Sequence, residues 1–391
     1  MAVTINTGLV GTNDPLQNEL RVDMRETIAM LEPDTTQFTT MLMHPKFGSE
    51  RAKSFKIEWM NDRLIPRHTA LSASAASGDT TLNVTAAEGN YWKVGDLGRF
   101  TSTGEGFRVT TAGANAITVV RAQGSTAAAS AANGSTLVIV GGSNEQGATL
   151  PQRMVTQRTT DYNYTQIHRD SYGFTETALA TQWYGGPLDV KERKKTAVHH
   201  KRNIENSFFF GPRSYSVGTK PRHTTGGLIE FILGAGAATD AAGTFDKGEL
   251  QDFLRAALTY GNRSMKVMFA APIVCQVLGE FLQDNWIRST PGQKIWGAQT
   301  DFTIGSAFGY SIPVVCKADW EQFGTGTASN YGSNAFIVDM GNVQYAPLRD
   351  TVLKPNRQAN DADEQSAEYL TECSIKVERP ETHAILKNVT G

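Results

Sequence analysis

Residues 187–211, which read PLDVKERKKTAVHHKRNIENSFFFG, form the stretch of this sequence that decides the fold. Proline suits the first turn of a helix, the interior through Phe210 holds no glycine or proline, and Gly211 can end the helix. The pattern therefore predicts a helix of about 23 residues and roughly 35 Å, which is long for a globular protein. Apolar residues are few in it, so we expect one stripe to pack and the rest to face solvent or a partner.

The same region is strongly basic. Residues 190–223 contain nine Lys or Arg and two Glu, a local net charge of +7. Six of these cations lie on the predicted helix and are candidates for meeting packaged nucleic acid or an acidic neighbouring subunit: Lys191, Arg193, Lys194, Lys195, Lys201 and Arg202. No aromatic residues are interleaved for base stacking, so we do not expect sequence-specific recognition. A solvated helix face is the alternative interpretation.

Two kinds of segment precede the helix. Residues 1–48 are interpreted as a mobile N-terminal arm, in which Leu20–Leu31 has a helical period that stops before Pro33. Residues 49–68 and 148–185 are extended and rich in Thr, Tyr, Gln and Arg. They are interpreted as the two halves of one long β excursion with its flanks.

Between those halves, residues 69–147 have a different composition. Gly, Ala, Ser and Thr supply more than half of the residues, and charges are sparse. Short β-rich runs alternate with turn signals, at Thr81–Thr85, Gly98–Phe100, Phe107–Thr110, Ile117–Arg121 and Leu137–Val140. The segment is therefore predicted to be a small all-β domain inserted into the excursion.

After residues 186–225, which carry the long helix, the pattern becomes α/β. Over residues 226–346 helix-like and strand-like runs alternate, at Lys247–Tyr260, Lys266–Ala270, Pro272–Phe281, Tyr310–Lys317 and Ala335–Val338. This order predicts helices packed on a sheet. Residues 347–391 add the strand-like runs Tyr369–Glu378 and Thr382–Leu386, which suit either a terminal hairpin or two sheet additions.

Composition excludes several classes of protein. With 37 basic and 39 acidic residues the formal net charge is −2, so the chain is no polycation. Cys275, Cys316 and Cys373 form no CxxC or Cys/His cluster and leave one over in any pairing, which argues against a disulfide scaffold and structural zinc. A reducing compartment fits best. No signal-like start or apolar run of membrane-spanning length occurs, so we expect a soluble protein without membrane contact.

Two glycine-containing stretches are poor matches to functional motifs. Gly234-Ala-Gly236 follows an apolar run, but Thr239 replaces the third glycine of a dinucleotide-binding turn. We predict a flexible loop there. In residues 305–309 the serine comes one place too early for a nucleophile elbow.

The titratable residues are also interpreted without chemistry. Adjacent residues of a helix point about 100° apart, so His199 and His200 cannot both ligate one metal, and both are predicted to be solvated or at an interface. Cys275 and Cys316 lie in apolar segments, where cysteine acts as a small hydrophobe. A solvated acidic loop is predicted at Asn360, Asp361, Asp363 and Glu364. We therefore predict no catalytic, cofactor-binding or metal-binding residue.

Five short stretches occur in an order that resembles a known family. They are residues 30–38 (MLEPDTTQF), 92–96 (WKVGD), 118–124 (TVVRAQG), 163–167 (NYTQI) and 203–206 (NIEN). With the arm, the β excursion, the long helix and the α/β unit, they resemble the major capsid proteins of tailed bacteriophages of the Hong Kong 97 fold type. The likeness covers nearly the whole chain.

The resemblance implies an α+β fold whose parts are an N-terminal arm, an extended E-loop, a spine helix in a peripheral domain (186–225), an axial domain (226–346) and strands returning to the peripheral domain (347–391). It also implies self-assembly through pentamers and hexamers into an icosahedral head. Portal, scaffold or cement proteins and packaged double-stranded DNA would be partners, and no cofactor or catalysis is implied. The chain would occur in the virion, and in the host cytoplasm before assembly.

Three other classes remain open at this point. An encapsulin-like nanocompartment could use the same shell fold to enclose an enzyme. A virion decoration or adhesion protein could use the small β domain for binding. An enzyme is a further alternative, although the sequence supplies no motif for one.

Overall fold

The computed structural model describes residues 36–47, 49–147, 149–183, 187–283, 289–291, 294–295, 298–299, 301–305, 309–324 and 331–390. The chain divides into a first unit, from the described parts of 1–59 and 161–391, and a second unit of residues 60–160. The arm helix predicted over Leu20–Leu31 and the serine of residues 305–309 lie outside the described residues.

The helices of the described residues are α1 (Gln37–Leu42), α2 (Glu176–Ala180), α3 (Leu188–Phe210), α4 (Leu228–Ala235), α5 (Lys247–Thr259) and α6 (Pro272–Gln283). Helix α3 confirms the long helix of the opening stretch, because it follows Pro187 directly and ends at Phe210, immediately before Gly211. Asp246 caps α5 through a reciprocal capping box with Glu249, which fixes the start of that helix.

The strands up to residue 224 are β1 (Lys56–Asn61), β2 (His68–Ala70), β3 (Thr81–Asn83), β4 (Asp96–Phe100), β5 (Gly106–Ala112), β6 (Ala116–Val120), β7 (Thr136–Gly142), β8 (Thr159–Tyr164), β9 (Gln166–Thr175), β10 (Ser214–Ser216) and β11 (Arg222–Thr224). The later strands are β12 (Ala237–Thr244), β13 (Lys266–Ala270), β14 (Ser289–Pro291), β15 (Lys294–Ile295), β16 (Ala298–Gln299), β17 (Phe302–Gly305), β18 (Ser311–Cys316), β19 (Ala335–Asp339), β20 (Val343–Lys354), β21 (Glu364–Val377) and β22 (Ala384–Thr390).

A mixed seven-stranded sheet carries the main core of the first unit, in the order β12-β22-β19-β13-β18-β17-β14. Every residue of β13 and β19 is buried. Apart from Lys266 and Asp339 at their ends both strands are apolar, which is typical of a sheet covered on both faces. The helices and strands that the sequence predicts at Lys247, Lys266, Pro272 and Ala335 are therefore confirmed.

A second sheet of the first unit has the order β20-β21-β9. Strand β21 pairs with β9 from Glu364 opposite Thr175 to Cys373 opposite Gln166. The chain's last strand does not join it: β22 lies between β12 and β19 of the seven-stranded sheet. The sequence left a terminal hairpin and two sheet additions open for the C-terminal strands, and the structure has two sheet additions. Residues 384–390 therefore do not join the sheet of β20 and β21.

The structure corrects two local predictions. Helix α1 lies within the segment interpreted as a mobile arm, and it packs on the core because Phe38, Met41 and Leu42 bury one face over only six residues. The flexible loop predicted at Gly234-Ala-Gly236 is instead the end of α4, with Gly236 after the last helical residue. Buried Leu228, Phe231 and Ile232 define the packed face of this helix, and the apolar run masked their helical spacing.

The three cysteines also behave differently from the prediction. Cys275 at the start of α6 and Cys316 at the end of β18 form a disulfide, with 6.3 Å between their Cα atoms. Parallel pairing of β13 with β18 brings these two positions to the same sheet edge, although 41 residues separate them in sequence. Cys373 is free and buried, and burial raises its pKa to about 12.

The second unit is a six-stranded sheet in the order β2-β7-β4-β5-β6-β3, and it contains the five runs predicted as strands. Its own core includes Trp92, Phe100 and Phe107. A buried ion pair supports it: Nε and Nη2 of Arg121 donate to the two carboxylate oxygens of Glu105, at 2.7 and 2.6 Å. Burial raises the pKa of Glu105, but Arg121 and two backbone N–H groups outweigh it and hold that pKa below its usual value.

We predict that residues 60–160 fold when expressed alone, because the unit has a core of its own and its strands follow one another in sequence. Dispersed amide signals in an NMR spectrum of the fragment would agree. The variant Arg121→Ala serves as a comparison, since it leaves the buried Glu105 unpaired and should lose this dispersion. A random-coil spectrum of the unchanged fragment would contradict the prediction.

Candidate assembly surface on the long helix

Helix α3 is packed along only its second half. The residues that it buries are His200, Ile204, Glu205, Phe208 and Phe209, whereas its first twelve residues, through His199, bury none. A helix of this length is normally stabilised by an apolar face. The first half therefore presents side chains on the surface of the unit.

The six predicted cations lie on this helix as expected, but they are not equivalent. Arg193, Lys194, Lys195 and Lys201 are exposed, whereas Lys191 and Arg202 are half-buried. At 100° per residue, Arg193 points away from the other five, which share one side. Spacings of seven residues place Lys194 near Lys201, and Lys195 near Arg202, roughly 10 Å apart along the helix. The structure thus brings five of the six cations together, and we call these five the basic face.

Arg193 belongs to a different contact. The hydroxyl of Tyr369, on β21, donates to the backbone carbonyl of Arg193 at 3.4 Å. A hydrogen bond with Tyr369 also raises the pKa of the Arg193 side chain. Arg193 therefore helps to hold α3 on the sheet of β20, β21 and β9.

His200 is not solvated, contrary to the prediction for the histidine pair. It is 1% exposed, and its ring nitrogens contact Asp170 Oδ2 at 2.6 Å and Thr371 Oγ1 at 2.7 Å. Its neighbour His199 is exposed. The two partners of His200 come from β9 and β21, so this histidine fixes the helix to two strands that sequence spacing could not reveal.

His168 on β9 is the second buried histidine of this contact. Its ring lies 6.4 Å from that of His200, nearly perpendicular to it, and its Nε2 has no hydrogen-bond partner. Burial first, and then the charge of His200, lower the pKa of His168 to about 4. Asp170 raises it by a smaller amount.

We expect stability to fall as the pH drops from about 6.5 towards 4, because the unfolded chain then binds a proton that folded His168 refuses. The loss for this one group is about 1.4 kcal/mol per pH unit in that window. Denaturant melts at several pH values would measure the slope, with His168→Gln as the comparison. An identical slope in that variant would contradict the assignment.

A buried ion pair anchors the second half of α3. Lys317 Nζ lies 2.5 Å from Glu205 Oε1, and the two side chains are 0% and 1% exposed. Glu205 also accepts hydrogen bonds from the backbone N–H groups of Phe38 and Thr39 and from the Thr39 hydroxyl. Asp319 lies 3.7 Å from the same ammonium group. The residues Glu205, Lys317, Asp319 and the start of α1 are named the charged junction below.

The short stretches quoted in the sequence analysis recur at such buried polar contacts. Glu205 of residues 203–206 meets Phe38 of residues 30–38. Asn163 of residues 163–167 is fully buried, and its amide nitrogen lies within hydrogen-bond distance of three acceptor oxygens, from Thr225, Gly226 and Ile375. These residues therefore connect elements that lie far apart in the sequence. In the sequence, such buried polar residues could have been recognised only as single polar residues beside apolar ones.

The match to known proteins extends along the whole chain. The family model described as SU10 major capsid protein matches residues 3–390. The chain belongs to this family. Over 189 residues it is also 28% identical to the major capsid protein of Pseudomonas phage PaMx41, an alignment that covers 47% of this chain and 44% of that relative.

Among solved structures, the capsid chain of an empty GTA particle has a TM-score of 0.52 at 11% identity, covering 97% of this chain and 98% of that one. A chain of Mycobacterium phage Adephagia has a TM-score of 0.49 at 8% identity and covers 98% of this chain and 99% of its own. The first likeness confirms the predicted α+β capsid fold of the Hong Kong 97 type. At this low identity, the likeness is evidence for the fold only.

No three His, Cys, Asp or Glu side chains within the described ranges come together in a group that could hold a metal ion. The acidic loop at Asn360, Asp361, Asp363 and Glu364 is exposed. None of the described helices combines the length and the apolar composition that crossing a bilayer requires.

Proposed function

We propose that this chain assembles through pentamers and hexamers into the icosahedral head that encloses the double-stranded DNA of a tailed bacteriophage. The observation that carries the proposal is the family match over residues 3–390. The role is structural and without catalysis. The chain would fold in the host cytoplasm and act in the virion, with portal and scaffold or cement proteins as further partners.

Surface composition supports a role in assembly. In the second unit, Leu64, Leu150 and Val155 are between 75% and 91% exposed, and they lie in segments outside regular strands. Leu64 and Val155 line the same surface cleft, and a contiguous exposed apolar surface marks a region that a partner covers. Another copy of this chain would bury them.

Electron microscopy of the purified chain tests the proposal, with light scattering over a range of protein and salt concentrations. We expect capsomers or closed shells. A species that stays monomeric at high protein concentration would count against the proposal. An enzyme enclosed in shells produced in the native host would favour the nanocompartment alternative.

The basic face is assigned to non-specific contact with the packaged DNA or an acidic neighbouring surface. Lys194→Glu with Lys195→Glu reverses two exposed charges of α3, so helix content should persist while shell yield or DNA retention falls. Circular dichroism and the DNA content of purified particles would measure this. Lys194→Gln with Lys195→Gln is the control that removes the two charges without reversing them. Its shell yield and DNA content should lie between those of the unchanged chain and the glutamate pair. Normal DNA-filled particles from the glutamate pair would favour a merely solvated face.

A further inference from the structure

The bond between Cys275 and Cys316 lies at the partly buried margin of the core, where both residues pack against it, rather than deep within it. Both residues are half-buried, whereas Cys373 is fully buried. Reactivity of a cysteine requires access and a thiolate, and Cys373 has neither, since its pKa is raised to about 12. The three cysteines therefore divide into an accessible pair and an inert third.

The position of the pair gives the bond a structural effect. Cys316 ends β18, and its backbone N–H donates to Asp301 at 2.7 Å. The next residue, Lys317, holds Glu205 of α3 in the charged junction. Cys275 lies in the first turn of α6, so the bond ties this helix to the strand end that positions Lys317. It also links the two ends of the chain segment 275–316, which contains β14 to β17.

We propose that Cys275 and Cys316 form a site of reversible covalent modification: a dithiol while the chain is in a reducing cytoplasm, and a disulfide once the particle leaves the cell. A reducing cytosol keeps thiols reduced, and an oxidising exterior preserves disulfides. The timing rests on the proposed function, whereas the site itself does not. The oxidised form fixes the strand end beside the charged junction and strengthens the particle after release.

The chemistry requires a disulfide oxidant, for which glutathione disulfide is the probe. One cysteine thiolate attacks it and releases one glutathione, forming a mixed disulfide. The second thiolate then attacks the protein sulfur of that mixed disulfide and releases the other glutathione. The two cysteines lose two electrons to glutathione disulfide, and their two protons end on the released glutathione thiols or in solvent.

The variant Cys373→Ala leaves two of the sequence's three cysteines, so every thiol counted belongs to the pair. Purified from a reducing cytoplasm, it should take two alkyl groups per chain after unfolding in iodoacetamide. After native treatment with glutathione disulfide it should take none. The oxidised form should melt higher than the same sample treated with dithiothreitol, by on the order of 5–10 °C.

The matched control carries Cys275→Ala with Cys373→Ala, and its melting temperature should not respond to the oxidant. The proposal is overturned if folded Cys373→Ala keeps two alkylatable thiols or carries glutathione adducts instead of the bond. Equal melting of its oxidised and reduced forms would overturn it as well. Both readouts use the unassembled chain, so a chain that forms the bond but no shell would refute the proposed function and support this site.

Discussion

Replacing Glu205 with alanine should destabilise the chain by about 3–5 kcal/mol, because the change removes the nearest carboxylate from the buried Lys317 ammonium group. The two side chains are almost fully buried, and their charged atoms lie 2.5 Å apart. The variant also removes the acceptor for the N–H groups at the start of α1. Chemical denaturation of the unassembled chain would measure the loss as a lower midpoint.

Two comparisons separate the buried charge from other effects of this substitution. Glu205→Leu, Lys317→Met and Asp319→Asn combined remove all three charges of the junction and should recover part of the stability lost in Glu205→Ala. Asp252→Ala breaks the pair with Arg255, whose side chains are 68% and 70% exposed, and should cost far less. If Glu205→Ala and Asp252→Ala were equally mild, the charged junction would not anchor α3.

Ile204→Pro should have a comparable or larger effect. Proline removes an internal helical hydrogen bond and clashes with the preceding turn, which costs about 3 kcal/mol or more. Ile204 is also 3% exposed, so its packing is lost in addition. Every subunit of a shell would carry the defect, and we expect assembly to fail even where some chain remains folded.

Ile204→Val is the matched control for that variant. It keeps the helix and removes one buried methylene group, at a cost of about 0.5–1.5 kcal/mol. Helix content by circular dichroism and particle yield by microscopy would distinguish the two variants. Particles of normal yield and stability from Ile204→Pro would refute the view that α3 is the mechanical spine of the subunit.

The elements predicted best were those with a strong local signal. The long helix α3 follows a proline and ends at a glycine, and α5 has a clear apolar period, so both were placed within about a residue. Helix α1 was not predicted because six residues are too few to show a period. Helix α4 was not predicted because its residues are almost all apolar, so the sequence does not show which face is buried. The partners of β22 are set by long-range pairing, which local patterns do not encode.

Only the exposed residues of the candidate site could be predicted from the sequence. Exposed cations such as Lys194 can be found from charge and helical spacing alone. The buried half was not, because the partners of His200 are 30 and 171 residues away, and Lys317 is 112 residues from Glu205. For the same reason the cysteine pairing was missed: counting three cysteines says nothing about which two a parallel strand pair brings together.

The placement of β22 has a consequence for synthesis. This strand lies inside the seven-stranded sheet, between β12 and β19, yet it is the last strand of the sequence. The sheet therefore stays open until the ribosome has made residues 384–390, and its half-formed edges are exposed to aggregation during that interval. The second unit, with its strands contiguous in sequence, can fold long before. Translation thus imposes an order in which residues 60–160 can fold first and the central sheet closes only after residues 384–390 have been made.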